Sequence, residues 1–203
     1  HEDGLRVLRA FPQKFPSSSL REDAAYWEGE ALAMLGKHEQ AREVLGSYLA
    51  GVKKKSWRGD YSDGAQFRRA FCRFALAKYD DAITELRAFR RAYPESPYAD
   101  EAALLLGDAL CGVGRIDDGL AEYRKIKPAA GRFHEEAVFK MGKAMRLTGD
   151  LSGMRTHFAA FLKASPGSSR VAEAVHWMCW SWQQSGEESK AREAAWQAVS
   201  DLG

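Results

Sequence analysis

His176 and Cys179 stand three residues apart, a spacing that puts both side chains on one face of a helix, where they could ligate a metal. Zinc asks for about four ligands, and no second Cys or His pair is near them in the chain, so packing is the better account of both. His134-Glu135-Glu136 lacks the second histidine of a His-Glu-x-x-His zinc site. Gly112-x-Gly114 follows a predicted helix and not a strand, which makes it a turn and not a dinucleotide-binding loop. No Gly-x-Ser-x-Gly occurs. Cys72, Cys111 and Cys179 are odd in number and have no Cys-x-x-Cys spacing, so no disulfide framework is expected. These residues predict no catalytic group, no metal site and no cofactor, and the chain is expected not to be an enzyme.

The charge pattern is more suggestive. Lys53, Lys54, Lys55 and Arg58 form a basic patch, and residues 52–93 together hold eleven Lys or Arg against five Asp or Glu in a chain of net charge +2. Such a region could meet an acidic protein, an anionic lipid surface or nucleic acid. No nucleic-acid motif accompanies it, which disfavours that partner; the plain alternative is a solvated loop with charged helix faces. With 45% hydrophobic and 29% charged residues the composition is that of an ordinary folded domain. No apolar run reaches the roughly 18–20 residues of a membrane span, so no transmembrane segment is expected. His1-Glu2-Asp3-Gly4 carries neither a basic start nor an apolar block, so no signal peptide is expected within this stretch. The chain starts inside a repeat and is expected to be part of something longer.

The elements that must position these residues repeat. Residues 8–29, LRAFPQKFPSSSLREDAAYWEG, align without a gap on 86–107, LRAFRRAYPESPYADEAALLLG, pairing Phe11 with Phe89, Pro16 with Pro94, Ser18 with Ser96 and Gly29 with Gly107. Residues 158–179 give a third copy with Phe161, Pro166, Ser168 and Cys179. Self-similarity at a fixed period is the mark of a repeat array. Residues 2–14 carry Leu5, Leu8 and Phe11 on one stripe and predict a helix. Ser19 and Glu22 read as a capping box that starts the next helix, and Gly36 as its stop. Gly51–Gly64, GVKKKSWRGDYSDG, reads as the one irregular loop. Ser96 reads as an N-cap with Pro97 at the first helical position. Gly36, Ala77, Gly114, Gly149 and Gly186 mark successive turns, close to the roughly 34-residue period of a helix–turn–helix unit. No stretch alternates as a strand.

These residues resemble the tetratricopeptide repeat family. The family pattern places a small residue midway along the first helix of each repeat, here Gly29, Ala70, Gly107, Gly142 and Cys179, and another early in the second helix, here Ala41, Ala82, Gly119 and Ala191, with Met154 departing. It places Gly at the turn, where Ala77 departs. The resemblance implies an all-α, right-handed α-solenoid: a single array over 1–203, with 1–16 the last helix of a partial repeat, five repeats at 17–51, 61–94, 95–128, 131–166 and 167–203, and a basic loop at 52–60. The aromatic-Pro-x-Ser turn is similar to that of bacterial cell-envelope tetratricopeptide proteins of the Tol–Pal and outer-membrane assembly type. That likeness points to a periplasmic or envelope location, with the cytoplasm as the alternative.

In such arrays the first helices line the concave face. The resemblance therefore implies a protein or peptide groove built from Tyr26, Trp27, Glu30, Phe67, Arg68, Phe71, Asp108, Phe139, Lys140, Lys143, Arg146, His176, Trp177 and Trp180, with aromatic anchors and basic groups suited to a partner bearing aromatic and acidic residues. The competing account is that many of these aromatics fill gaps between helices. The family's carboxylate clamp also needs asparagines that are absent here, so that function is not carried over. The expected function is a protein-binding scaffold; the alternatives are a structural spacer or oligomerisation module, and an anionic-surface or nucleic-acid binder using 52–93. Oligomeric state is not legible.

Overall fold

The computed structural model describes residues 2–202. His1 and Gly203, the ends of the expected array, lie outside the described residues. All regular structure among the described residues is helical, with no strand. The chain divides into two compact units, His1–Val113 and Gly114–Gly203. The N-terminal unit holds α1 (Glu2–Lys14), α2 (Arg21–Met34), α3 (His38–Lys53), α4 (Ser62–Ala75), α5 (Tyr79–Ala92) and α6 (Ala99–Gly112). The C-terminal unit holds α7 (Ile116–Tyr123), a 3-10 turn (Pro128–Ala130), α8 (Arg132–Thr148), α9 (Leu151–Ala164), α10 (Val171–Gln184) and α11 (Glu188–Leu202).

In the N-terminal unit each helix packs on the next, and α4 also touches both α2 and α6, so the first helices of successive pairs lie in a row. The core between them is Leu32, Leu45, Tyr48, Phe67, Leu86, Phe89, Leu106 and Leu110, all fully buried. In the C-terminal unit Phe139, Met154, Phe158, Phe161 and Ala174 play that part. Two helix contacts are close enough that a missing side chain is required. A Cβ added to Gly29 would lie 2.4 Å from Leu45 Cδ2, and one added to Gly142 would lie 2.6 Å from Phe158 Cζ. No real side chain tolerates either separation without displacement.

Four of the turns after first helices, those at Gly36, Ala77, Gly149 and Gly186, share one geometry. In each, the residue with positive φ bonds back three residues and its successor bonds back five: Gly36 to Ala33 O and Lys37 to Leu32 O, Gly149 to Arg146 O and Asp150 to Met145 O, Gly186 to Gln183 O and Glu187 to Trp182 O. This is the Schellman motif, which wants glycine at the left-handed position. Ala77 occupies the same place, bonding to Phe74 O while Lys78 bonds to Arg73 O, at φ 56°. That conformation costs an L-residue roughly 1–2 kcal/mol.

Three local expectations are corrected. Ser19 and Glu22 do not form a capping box: α2 starts at Arg21 with no side-chain cap. It is Ser18 Oγ that accepts the Leu20 N–H, while Glu22 turns away from the helix end. Ser96 is not an N-cap and Pro97 is not helical, because α6 starts at Ala99. Ser96 Oγ instead accepts the Tyr98 N–H and donates to Asp63 Oδ2 on α4 at 2.7 Å. Ser168 repeats this in the C-terminal unit, accepting from Arg170 N–H and donating to Glu135 on α8. The serine thus fixes a turn and ties it to the preceding first helix. Finally, the irregular segment is shorter than Gly51–Gly64, since α3 runs on to Lys53 and α4 begins at Ser62.

The remaining loop, 54–61, is organised by Glu22. Its carboxylate is buried and accepts the N–H groups of Arg58 at 2.8 Å and Gly59 at 2.6 Å, and the Tyr48 hydroxyl at 3.2 Å. Tyr48 in turn accepts the Tyr61 N–H. Burial alone would raise the Glu22 carboxyl; the two amides, the Tyr48 hydroxyl and the Arg58 charge outweigh it and hold the group below the usual carboxylate range. The Tyr48 phenol is pushed up to about 12, by burial first and then by Glu22. Trp57 lies flat on the open backbone of Gly51, where an added Cβ would meet the indole at 2.9 Å.

Candidate partner-binding faces

On the N-terminal unit the first helices are α2, α4 and α6. Tyr26 of α2 is buried and stacks on Tyr61, with ring centroids 4.5 Å apart and planes within 5°. Its hydroxyl lies close against α4, where a Cβ on Gly64 would come within 2.6 Å of it. Burial raises the Tyr26 phenol well above its ordinary value, and Glu30 adds to the shift. Trp27 meets both tyrosines edge-on and is 49% exposed. Phe67 is fully buried, stacked on Tyr98 and against Phe89. Tyr26 and Phe67 are therefore core side chains and offer no groove surface. Asp108 is half-buried on α6.

Arg68 crosses this face above Phe67 and Phe71, its guanidinium 5.8 and 5.3 Å from their ring centroids. Glu30 grips it with both oxygens: Nε donates at 2.9 and 3.0 Å, and Nη2 lies 2.9 Å from Oε2. Burial works against the Arg68 charge, and the Glu30 carboxylate outweighs that effect. Glu30 and Arg68 are thus brought together, but as a closed pair.

The basic region behaves likewise. Arg58 faces Glu22, Asp23 and Asp60; Arg69 pairs with Glu85, Arg73 with Asp81 and Glu85, and Lys78 with Glu39. Lys53, Lys54 and Lys55 are exposed where α3 ends. A net charge counted along the sequence overstates what this surface presents, because the acids that neutralise Arg58, Arg68 and Lys78 sit on α2 and α3.

On the C-terminal unit, α8 and α10 face one another with a different arrangement. Phe139 is 1% exposed and belongs to the core, so it too is removed from the groove. Trp177 and Trp180 pack partly on that core and meet edge-to-face at 5.8 Å. Lys143 Nζ lies 5.6 Å from the Trp177 ring centre and the Arg146 guanidinium 5.4 Å from it; Arg146 is also 6.0 Å from Trp180. His176 is exposed and touches Trp177 edge-on at 5.2 Å. Lys140 reaches Glu136 at 3.6 Å. Glu173 accepts from Lys143 at 3.2 Å and from Trp177 Nε1 at 3.3 Å. Burial would raise the Glu173 carboxyl, but these hydrogen bonds and the charges of Lys143 and Arg170 hold it below its usual range.

Sequence reading missed Tyr61, Tyr98 and Glu173, which complete these faces. Tyr61 belongs to the loop, Tyr98 to a turn, and Glu173 lies a helix away from Lys143; no local pattern marks any of them. Neither Cys72 nor Cys179 is an activated thiol. Burial pushes the Cys72 thiol up to about 11 and raises Cys179, whose Sγ donates to Ala191 O. Among the described residues no group of three or more His, Cys, Asp or Glu could hold a metal ion. No helix among them is long and apolar enough to cross a membrane.

The tetratricopeptide repeat profile matches residues 23–50, 65–96 and 136–168. No curated protein sequence matches the chain. Solved structures do. A tetratricopeptide repeat protein from Parabacteroides merdae matches with a TM-score of 0.72 at 14% identity, over 98% of this chain and 72% of that one. The nearly identical TPR-like repeats of a Podosopora anserina kinesin light chain candidate match at 0.68 and 13% identity, over 91% and 96%. MamA matches at 0.68 and 15% identity, over 90% and 92%. At these identities the likeness carries the fold, and it supports no envelope subtype. Three segments of the chain thus match the tetratricopeptide repeat profile, and its all-helical fold is similar to that of solved tetratricopeptide repeat proteins.

Proposed function

We propose that this chain is a protein-binding adaptor that takes partner segments on its first-helix faces. Helical repeat arrays use extended surfaces of this kind for protein recognition. The observation that carries the reading is the cluster on α8 and α10: two indoles with one side on the core bear Lys143 and Arg146 on their rings. Partly exposed Trp and Arg side chains are the groups that dominate binding energy in protein interfaces. Trp27, half exposed on α2, supplies a further anchor. The pairing of Arg58, Arg68, Arg69, Arg73 and Lys78 counts against the anionic-surface reading and leaves the exposed Lys53, Lys54 and Lys55 for it.

Site-specific photocrosslinking tests it. A benzophenone side chain at Trp27 or Trp177 should capture a protein partner from the native lysate, and the same group at Arg87 on α5 or Lys163 on α9 should not. Equal capture from the second-helix positions, or none from the first-helix positions, would overturn the reading and leave the spacer role.

A further inference from the structure

We propose that the C-terminal unit recognises an acidic segment of its partner protein, with Arg146 as the receptor for a carboxylate and Trp177 and Trp180 as the apolar shelf beside it. This rests on the adaptor reading and names the chemistry of the partner.

The case is the unequal treatment of cations on one face. Lys140 has Glu136, Lys143 has Glu173, and Arg170 has both acids. Arg146 is exposed, and no carboxylate among the described residues reaches it. It is nonetheless placed: its guanidinium lies 5.4 and 6.0 Å from the centroids of two indoles three residues apart on α10. Contact with a ring face holds a guanidinium in position without engaging its N–H donors. Arginine carries five donors in a planar fork that matches a carboxylate bidentately. A positioned guanidinium with an open fork is a receptor whose ordering cost on binding is already reduced.

The charge balance selects the sign of the occupant. Lys140, Lys143, Arg146 and Arg170 outnumber Glu136 and Glu173 on this face, and those two acids are already engaged by their neighbours. A basic segment would meet the open Arg146 as a like charge. An acidic one would place its carboxylate on Arg146 and an adjacent aromatic or aliphatic residue on the indoles. A lone phosphate would use the fork and leave the Trp177–Trp180 surface uncovered, so a peptide carrying both features is the occupant the face fits.

The test is selection of a displayed library of random short peptides on the full chain, with Arg146→Gln and Arg146→Lys run in parallel. Circular dichroism confirms that each variant is folded. The expected result is enrichment of sequences with Asp or Glu next to an aromatic or aliphatic residue. A synthetic peptide of that type should bind about tenfold more weakly to Arg146→Gln and regain part of the loss in Arg146→Lys, which keeps the charge but not the fork. Its Glu→Gln analogue should bind the parent chain no better than the original peptide binds Arg146→Gln. Enrichment without acidic bias, or acidic bias that survives Arg146→Gln, overturns this inference and leaves the adaptor reading standing. A library that yields no enriched sequence overturns both. Sedimentation with phosphatidylserine vesicles that depends on Arg146, in the absence of peptide selection, assigns the face to a membrane surface and overturns the inference as well.

Discussion

The two units use arginine on an aromatic floor in opposite ways. In the N-terminal unit Arg68 lies over Phe67 and Phe71 with its guanidinium closed by both oxygens of Glu30. In the C-terminal unit Arg146 lies over Trp177 and Trp180 with its donors open. The residue after the small first-helix position shows the origin of the contrast. It is Glu30 after Gly29 in one unit and Lys143 after Gly142 in the other. One acid at that place consumes the neighbouring guanidinium; a lysine there leaves the face cationic. Charge composition therefore says little about binding until each charge is matched to its partner across the helix row.

The largest effect expected from breaking this contrast is on the N-terminal side. Arg68→Ala leaves Glu30 buried without its partner and should cost about 3 kcal/mol, the low end for breaking a buried ion pair because the guanidinium is partly exposed. Denaturant unfolding of the full chain measures it; a loss under about 1 kcal/mol would show the pair behaving as a surface salt bridge and remove the distinction between the units.

Next come the two close helix contacts. Gly142→Ala and Gly29→Ala should each cost about 1–3 kcal/mol through overpacking. Gly142→Ala should be the worse of the two, since the rigid Phe158 ring is what the new methyl meets, whereas Leu45 can change rotamer. Thermal melts of the pair check both the size and the order.

Acid should separate the units in the same direction. Glu22 in the N-terminal unit is buried, with its folded carboxyl held below the ordinary value of 4.5. Its stabilisation is therefore complete above that value and is lost as pH falls through the lower folded value. Glu173 in the C-terminal unit is shifted the same way but is much more exposed, so its contribution is screened. Glu22→Gln should lower stability at neutral pH by about 1–3 kcal/mol and flatten its decline below pH 4.5, as followed by a pH series of urea midpoints with Trp57 fluorescence reporting the loop. An unchanged acid profile would mean that the loop is held by other contacts.

The smallest effect is the one that sharpens the comparison most. Arg146→Ala should change stability by less than about 1 kcal/mol, because an exposed cation–π contact is worth no more than that, and its melt should nearly overlay that of the parent. Set beside Arg68→Ala, it tests whether one arginine holds the fold while the other stands ready for a partner. A loss as large as that from Arg68 would make Arg146 structural.

The repeat period, the all-helical class and the turns at Gly36, Gly149 and Gly186 were determined by the sequence itself. They are local: a helix, a left-handed residue and a returning helix are written within a few turns of chain. The close-contact glycines were also legible, because a missing side chain at a fixed place in each repeat has one physical use. Tertiary structure decided what the first-helix residues do. Tyr26, Phe67 and Phe139 have the periodicity of a groove and the burial of a core. Glu22 has the spacing of a cap and serves a loop more than thirty residues on. Glu30 closes Arg68 from a comparable distance along the chain, and Ser96 finds Asp63 across the helix row. Each of these partnerships joins successive repeats. A side chain's partner there is set by how one helix pair lies on the next, and residues so far apart in sequence leave no pattern in a single repeat that says whether a charge will be closed or open.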